Sequence, residues 1–321
     1  MARSFLKNFK SPVQAEINTG FGSNSSNYGG RFLHKSGKSN VHKTGLPFLE
    51  TISWFHTLLN IPRWKFMLII LIFYFLVNMI FASMYWFIGV EHLKGISPAN
   101  TLEAFGQAFF FSIQTFTTVG YGHISPSGFW TSLVAAIEAL FGLLSFAIAT
   151  GLFYGRFSKP RAYVMFSENA VIAPFEGGKA LMLRLSPYKN THLTDAEVKV
   201  TLSLHIEENG QKVNRFYSLD LEYSKINSLP LSWTLVHKIT PESPLYSFTD
   251  QDYQNVEGEI LIFFKVFDDM YSTTVVRRTS YLFSEVVYGA RFLPMFTRDV
   301  ANSKTILHLD KLNAMEKIGF S

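Results

Sequence analysis

The sequence predicts a membrane-embedded helical part followed by an all-β domain, and three observations predict this arrangement. Residues 66–88 carry no formal charge, and residues 128–155 carry only Glu138. At 1.5 Å per residue, each run is long enough to cross a hydrocarbon core of about 30 Å as a helix. After residue 161 the pattern changes to short runs with an apolar residue at every second position, which is typical of strands packed on one face.

Length and composition exclude several kinds of site. The 321 residues suffice for one membrane part and one soluble domain, and they include no cysteine, which excludes disulfides and thiolate metal sites. The first apolar run begins far from Met1 and is too long for the core of a cleavable signal peptide. The histidines are scattered without metal-ligand spacing, and no phosphate loop or nucleophile–base pattern occurs. The sequence therefore contains no pattern that indicates a metal cofactor or an enzymatic activity.

The distribution of basic residues predicts the orientation in the membrane. Arg63 and Lys65 precede the first run, Lys159 and Arg161 follow the second, and the segment between the runs holds only Lys94. We therefore expect a multi-pass protein of the cell (inner) membrane with both termini in the cytoplasm. Because the basic residues gather at the membrane edge, they favour anionic lipid over nucleic acid as a partner.

The segments around the first span are expected to lie outside the bilayer core or to enter it only partly. Residues 1–45 predict an N-terminal cytoplasmic segment, rich in Gly, Ser and Asn up to about residue 30. Residues 46–62 predict a short interfacial helix, with a plain linker as the alternative.

A further short helix is expected between the two spans. Asn100 and Glu103 have capping-box spacing, so this helix should begin near Thr101 and run to residue 116. It is too short to cross the bilayer and fits a re-entrant pore helix.

A five-residue motif follows this helix and points to function. It reads Thr118-Val119-Gly120-Tyr121-Gly122, the sequence of a potassium selectivity filter, in which backbone carbonyls replace the hydration shell of K⁺. Glycine is needed because aiming successive carbonyls the same way requires backbone angles that other residues avoid. The two flanking spans, predicted at about 65–89 and 128–156, give the motif its expected context and complete a pore domain at 63–158.

The second half predicts an antiparallel β-sandwich at residues 159–296, followed by a tail at 297–321 with a short amphipathic helix at 307–318. The clearest alternation is at residues 198–206, where valine, leucine and isoleucine alternate with polar residues. Further strands are expected at residues 179–185, 215–221, 231–239, 259–267 and 273–283.

The chain resembles the inward-rectifier potassium channels, particularly the prokaryotic (KirBac-type) members, from about residue 28 onward. The filter carries the resemblance, together with motifs at residues 31–41, 159–162, 233–245, 278–281 and 288–292. The resemblance implies a homotetramer whose transmembrane pore continues into a vestibule of immunoglobulin-like β-domains, with K⁺ ions in the filter and no other cofactor. Two departures are Gln114, where the family usually has Glu in the pore helix, and His123 after the filter.

The resemblance also implies roles for residues on the inner part of the pathway. Tyr154 matches the bulky position at which the helix bundle closes, although an interfacial tyrosine is the alternative. Gly151 and Gly142 are hinge candidates. Phe146 stands where strongly rectifying members carry Asp or Asn, so block by internal cations should be weak.

Two further groups have both a functional and a plain interpretation. Asp195 and Asp269 match acidic positions of the cytoplasmic pore, or are ordinary solvated carboxylates. The second group consists of Arg63, Lys65, Lys159 and Arg161. These residues either bind anionic lipid head groups, such as those of phosphoinositides, or only set the topology.

Inside the spans, Glu138 is expected to anchor the pore helix, with a charge near the filter that favours cations as the alternative. Asn78 is expected to form a hydrogen bond between helices, with a role in permeation as the alternative. Two rival interpretations are a two-span receptor that signals through its β-domain and the pore subunit of a larger K⁺ uptake system. The single filter motif argues against both.

Overall fold

A computed structural model describes residues 6–7, 20, 30–47, 53–208, 211–299, 301 and 303–319. Most of the predicted N-terminal unstructured segment and residues 48–52 of the predicted interfacial helix lie outside this range. The chain forms two compact units, one at residues 44–159 and one that combines residues up to Lys43 with those from Pro160 onward.

The described residues of the membrane unit form four α-helices. They are α1 (Trp54–Asn60), α2 (Arg63–Ile88), α3 (Thr101–Phe116) and α4 (Phe129–Phe157). Of these, α2 and α4 are long and apolar enough to span a membrane, and only 28% and 11% of their most apolar windows are buried within the chain. Their remaining apolar surface therefore suits lipid or other subunits better than a soluble core. Two short strands, β2 (Leu93–Lys94) and β3 (Ser125–Pro126), pair between the helices.

The other unit is built on two β-sheets, which confirms the predicted fold class. The first sheet contains β1 (Leu6–Lys7), β7 (Leu193–Glu208), β8 (Gln211–Leu219), β9 (Lys225–Ser228), β11 (Gly258–Asp268) and β12 (Thr273–Leu282). The second contains β4 (Val164–Phe166), β5 (Ala170–Phe175), β6 (Gly178–Pro187), β10 (Trp233–Ile239) and β13 (Val286–Tyr288). All six strands that alternation predicts are present.

The two sheets enclose one apolar core. Strands β7, β11 and β12 pair antiparallel, and their alternate residues Leu202, Ile260 and Tyr281 are fully buried. Leu183 and Leu185 of the second sheet belong to the same apolar cluster. A short helix, α5 (Asp250–Asn255), connects the sheets and begins with a capping box between Thr249 and Asp252.

The C-terminal segment corrects the prediction of an amphipathic helix at residues 307–318. This region forms β16 (Lys304–Leu307), a single 3-10 turn at Leu309–Lys311 and β17 (Met315–Lys317). Strand β17 pairs with β14 (Ala290–Phe292), and β16 pairs with β15 (Phe296–Asp299). A helix of twelve residues is marginal on its own, and pairing with a nearby strand satisfies the same backbone groups. The predicted boundary at residue 296 is therefore also wrong.

Candidate ion-conduction pathway

Helix α3 begins at the predicted cap. The side chain of Asn100 accepts a hydrogen bond from the Glu103 backbone N–H at 2.9 Å, and Glu103 accepts one from the Ala99 N–H at 2.8 Å. Together these bonds satisfy two donors at the start of the helix, as a capping box does. The helix ends at Phe116, two residues before the predicted filter.

The predicted filter has an alternating backbone. Thr118, Gly120 and Gly122 have φ values of +58°, +55° and +83°, whereas Val119 and Tyr121 are not among the described residues with positive φ. Alternating left- and right-handed conformations turn successive carbonyls toward the same side of the chain, which is the geometry that cation coordination by carbonyls requires. Glycine adopts positive φ without steric cost, while Thr118 holds it as a strained residue.

The last turn of α3 holds the start of this segment. The carbonyl oxygen of Gln114 accepts hydrogen bonds from the N–H groups of Val119 at 3.0 Å and Gly120 at 3.3 Å, and Thr118 donates to the carbonyl of Thr115 at 3.1 Å. Gln114, which replaces a glutamate expected from the family, therefore contributes through its backbone. After the filter, a Cβ added at Gly95 would lie 1.8 Å from the carbonyl oxygen of His123, so the chain there packs against bare backbone.

A fully buried carboxyl group connects the three long helices of this unit. Glu138 of α4 contacts the hydroxyl groups of Tyr85 on α2, at 2.5 Å, and of Ser112 on α3. Ser112 also lies 3.1 Å from the side-chain oxygen of Asn78 on α2. These contacts confirm that Glu138 anchors the pore helix and that Asn78 bonds between helices. The partner on α3, Ser112, was not predicted, because a serine in an apolar helix gives no distinct signal.

A cavity of about 400 Å³ lies beside Thr118, the first residue of the predicted filter. Its lining includes Phe116, Thr117, Thr118, Gly142 and Phe146. The Phe146 side chain is 73% exposed in the single chain and presents an apolar surface where an acidic one would concentrate cations.

Helix α4 continues without a break through both predicted hinge glycines. A Cβ at Gly142 would lie 2.0 Å from the carbonyl oxygen of Phe116, so close packing against the end of α3 already requires glycine there. A Cβ at Gly151 would meet nothing within 4 Å. Tyr154, one turn below, is 74% exposed. The gate and hinge roles stay predictions.

The inner end of α4 binds α1. The Arg156 guanidinium donates to the carbonyls of Leu58 at 3.0 Å and Ile61 at 2.5 Å, which closes the C-terminal end of α1. Lys159 donates to the Asn60 side chain at 2.5 Å. The sequence analysis did not predict this contact of Arg156 with α1, although a basic residue in the last helical turn is a usable signal. Of the other predicted lipid-binding residues, Arg63, Lys65 and Arg161 are exposed.

On the first sheet of the other unit, the predicted acidic positions have polar partners. Asp195, with φ of +48°, pairs with Lys225 at 3.3 Å, and both side chains are more than half exposed. Asp269 accepts a hydrogen bond from the Thr194 hydroxyl at 3.1 Å. The neighbouring carboxylate of Glu197 lies 3.7 Å from the Lys265 ammonium. Lysines on adjacent strands thus offset much of the negative charge of this surface.

Residues 30–40 fold into a hairpin on the same unit, closed by a bridge between Leu33 and Ser39. The buried carboxylate of Glu259 accepts hydrogen bonds from the N–H groups of Phe32 at 2.5 Å and Leu33 at 3.0 Å. Burial raises the pKa of Glu259, while the hydrogen bonds from Phe32, Ser280 and Leu33 and the charge of Arg31 oppose that rise. This buried attachment between distant parts of the chain was not predicted.

Charged side chains complete the attachment of the hairpin. Arg31 forms two hydrogen bonds with the Glu285 carboxylate, at 3.1 and 3.2 Å, and donates to the Ser280 carbonyl at 2.5 Å. Lys35 lies 3.3 Å from Glu285 and 3.8 Å from the centre of the Tyr281 ring. A bidentate pair such as Arg31 with Glu285 fixes both the position and the orientation of the hairpin.

His237 is a second buried titratable group of this unit. Its Nδ1 lies 2.7 Å from the carbonyl oxygen of Asp220, and its Nε2 lies 2.8 Å from the hydroxyl of Ser243. Because the carbonyl can only accept, Nδ1 carries the hydrogen and Ser243 donates to Nε2 in the neutral ring. Burial lowers the pKa of His237, while the hydrogen bond and charge of Asp220 partly offset that effect.

Comparison with known families identifies both units. Residues 65–159 match the family described as an ion channel, and residues 164–320 match the inward rectifier potassium channel C-terminal domain. Among the described residues, no group of three or more His, Cys, Asp or Glu side chains is placed to hold a metal ion.

Individual relatives agree with the family match. The inward rectifier potassium channel Kirbac3.1 of Paramagnetospirillum magnetotacticum is 34% identical over 83% of this chain and 90% of its own length. Channel irk-1 of Caenorhabditis elegans is 27% identical over 87% of this chain and 56% of its own length. The ATP-sensitive inward rectifier potassium channel 12 of Gallus gallus is 27% identical over 83% of this chain and 67% of its own length. The chain is a membrane protein that belongs to the inward-rectifier potassium channel family and has its potassium-channel function.

Proposed function

We propose that four copies of this chain form one pore in which the carbonyls of Thr118, Val119, Gly120 and Tyr121 bind dehydrated K⁺. The observation that carries the proposal is the alternating positive φ at residues 118, 120 and 122, held by the Gln114 carbonyl. One chain supplies one such segment, and a ring of carbonyls around an axis requires several, so we infer a homotetramer. The carbonyl end of α3 adds a helix dipole that favours a cation.

The orientation that we propose places both termini in the cytoplasm of a cell (inner) membrane. It rests on the basic residues that precede the first span and follow the second, because Lys94 is the only lysine or arginine between the spans. In this orientation the segment from Pro160 onward would lie on the cytoplasmic side of the membrane.

Tyr154 is the proposed gate of the inner mouth. Four exposed rings at this level would narrow the pathway enough to exclude water, and dewetting blocks ions without complete closure. Gly151, whose Cβ position is open, is the stronger of the two hinge candidates. Replacing Tyr154 by alanine should raise basal flux while K⁺ selectivity persists; unchanged flux would leave Tyr154 as an interfacial residue.

Block by internal polyvalent cations should be weak in this channel. Phe146 lines the cavity with an apolar ring, and Lys225 offsets the charge of Asp195. Asp195 and Asp269 remain the proposed sites of residual cation binding. Phe146→Asp should strengthen spermine block, because four carboxylates in a site of low dielectric attract a polycation strongly. Equal block of parent and variant would contradict this.

We propose that anionic lipid head groups, phosphoinositides included, bind Arg63, Lys65, Lys159 and Arg161. Lys159 and Arg156 link the inner end of α4 to α1, so a head group that engages Lys159 would compete for the contact with Asn60. A ligand shifts the gate only through different affinities for its two states.

The test of the channel function is uptake of ⁸⁶Rb⁺ into liposomes that hold only the purified protein, with and without Ba²⁺. We expect uptake that Ba²⁺ suppresses and that exceeds Na⁺ uptake from the same solution. No uptake above protein-free liposomes, across lipid mixtures with and without anionic lipid, would contradict the proposal that this chain alone forms the pore.

A further inference from the structure

The buried carboxyl group of Glu138 lies where α2, α3 and α4 meet, and its side chain has no exposed surface. Its Oε2 contacts the Tyr85 hydroxyl at 2.5 Å, and its Oε1 contacts the Ser112 hydroxyl. Among the described residues, no lysine, arginine or histidine forms an ion pair with Glu138. An unpaired charge is expensive to bury at membrane depth, so the hydrogens of this site need to be counted.

Asn78 provides the third polar group of the site, and its orientation is fixed. Its Nδ2 donates to the Tyr74 carbonyl at 2.7 Å, and a carbonyl can only accept, so this end of the amide must be the nitrogen. The oxygen, Oδ1, therefore faces the Ser112 hydroxyl at 3.1 Å. Ser112 thus contacts three oxygen atoms: Oδ1 of Asn78, the backbone carbonyl oxygen of Asn78 at 3.2 Å, and Oε1 of Glu138.

An ionised Glu138 leaves this cluster short of one hydrogen. The site then has two hydroxyl hydrogens, from Tyr85 and Ser112, for three contacts between side-chain oxygens. Ser112 could satisfy either Glu138 or Asn78, and the other contact would bring two acceptors together. A buried acceptor without a donor costs free energy, and two facing acceptors also repel each other.

We propose that Glu138 is protonated and acts as a positioning residue for the filter. The neutral carboxyl donates from Oε1 to Ser112, Ser112 donates to Oδ1 of Asn78, and Tyr85 donates to Oε2. Every contact between side chains then contains one hydrogen, and the backbone carbonyl of Asn78 shares the Ser112 hydrogen with Oδ1. The inference rests on the proposed filter for its functional consequence but not for the state of the proton.

The connection to the filter runs through α3. Ser112 lies two residues before Gln114, whose carbonyl holds the N–H groups of Val119 and Gly120. The hydrogen-bonded chain from Glu138 therefore fixes the rotation and depth of the last turn of α3 against α2 and α4. Because the carboxyl is neutral, it fixes that turn without adding a negative charge behind the proposed K⁺ sites.

Infrared spectroscopy of the reconstituted full-length protein tests the proton directly. The difference spectrum between the parent and Glu138→Gln should contain the C=O stretch of a protonated carboxylic acid, and the band should shift in D₂O. The matched control, Glu176→Gln, removes an exposed carboxylate and should show only carboxylate bands. Carboxylate bands in the Glu138 difference spectrum would overturn the proposal.

A second variant, Ser112→Ala, tests the protonation of Glu138 independently of whether Glu138→Gln folds. In Ser112→Ala the acid proton loses its acceptor, so the same C=O stretch should move to higher frequency; an unmoved band would also overturn the proposal.

Flux measurements separate this inference from the filter assignment. ⁸⁶Rb⁺ uptake should fall about tenfold in Glu138→Leu and recover in Glu138→Gln, which can donate to Ser112 and accept from Tyr85. Uptake by the parent should decline at alkaline pH as Glu138 ionises, whereas uptake by Glu138→Gln should not. An ionised Glu138 in a selective channel would overturn only the present inference. A protonated Glu138 in a channel that passes Na⁺ as readily as Rb⁺ would overturn only the filter assignment.

Discussion

Glu138 in the membrane unit and Glu259 in the β-sheet unit are both buried carboxyl groups, with 0% and 3% of the residue exposed. Glu138 contacts hydroxyl groups, which can donate or accept, so its site can adapt to a proton on the carboxyl group. Glu259 receives two backbone N–H groups, which only donate, and contacts the Ser280 hydroxyl beside the charge of Arg31. The contacting groups, and not burial alone, therefore decide which form of a buried carboxyl suits the fold.

The largest effect is expected at Glu259. In Glu259→Gln, the new amide N–H groups would face the N–H of Phe32 or Leu33, which should cost about 1–3 kcal/mol and loosen the hairpin at residues 30–40. The measurement is the rate at which trypsin cleaves the full-length protein after Arg31 and Lys35, which should increase.

The control for this experiment is Glu242→Gln, which neutralises an exposed carboxylate. A cleavage rate in Glu259→Gln equal to that of the control would show that the amide-lined site tolerates a neutral group as well as the hydroxyl-lined one does.

Gly142 tests the membrane side of the comparison. A methyl group there would press on the Phe116 carbonyl and push the end of α3 away from α4, which carries Ser112 away from Glu138. Overpacking of this kind costs about 1–3 kcal/mol, so ⁸⁶Rb⁺ uptake by Gly142→Ala should fall strongly. Gly106→Ala, where the Cβ position is open, is the control and should lose much less. Equal losses would show that close packing at Gly142 does not set the uptake.

The sequence predicted the elements whose signal is local. The Asn100–Glu103 spacing located the start of α3, the uncharged runs located α2 and α4, and period-two alternation located the main strands. The terminal helix failed because β17 finds a distant partner in β14, and no local pattern reports such pairing. For the same reason the contacts of Ser112 with Glu138 and of Glu259 with Phe32 were invisible, since their partners are far apart in the chain.

His237 extends the comparison to a buried base, and its burial predicts that the stability of the β-sheet unit depends on pH. The pKa of its ring is lowered by burial, so the unfolded chain, with a pKa of about 6.5, takes up a proton before the folded domain does. The stability that this group contributes is complete above that pKa and is lost as the pH falls toward the lower folded value. The thermal unfolding midpoint of the β-sheet unit should fall accordingly, and His237→Gln should flatten the dependence of this midpoint on pH. An equally steep dependence in the variant would assign it to other groups.

The smallest effect is expected from exposed charges. Each lysine or arginine near an anionic surface contributes about 1 kcal/mol, and solvent and salt screen it in a way that buried groups escape. The double substitution Lys159→Gln, Arg161→Gln should therefore weaken, without abolishing, the dependence of ⁸⁶Rb⁺ flux on phosphoinositide content. Superimposable curves for parent and variant would mean that these residues only set topology.

The ratio of ⁸⁶Rb⁺ to Na⁺ uptake in Gly120→Ala and Gly106→Ala tests the central claim most directly. Gly120 has φ of +55° in the proposed filter, where an added Cβ is strained, whereas Gly106 lies within α3 and its Cβ would meet nothing within 4 Å. The account predicts that the parent and Gly106→Ala select Rb⁺, and that Gly120→Ala loses flux or selectivity while its oligomer stays assembled. Undiminished, selective uptake by Gly120→Ala, or equal uptake of both ions by the parent, would contradict it.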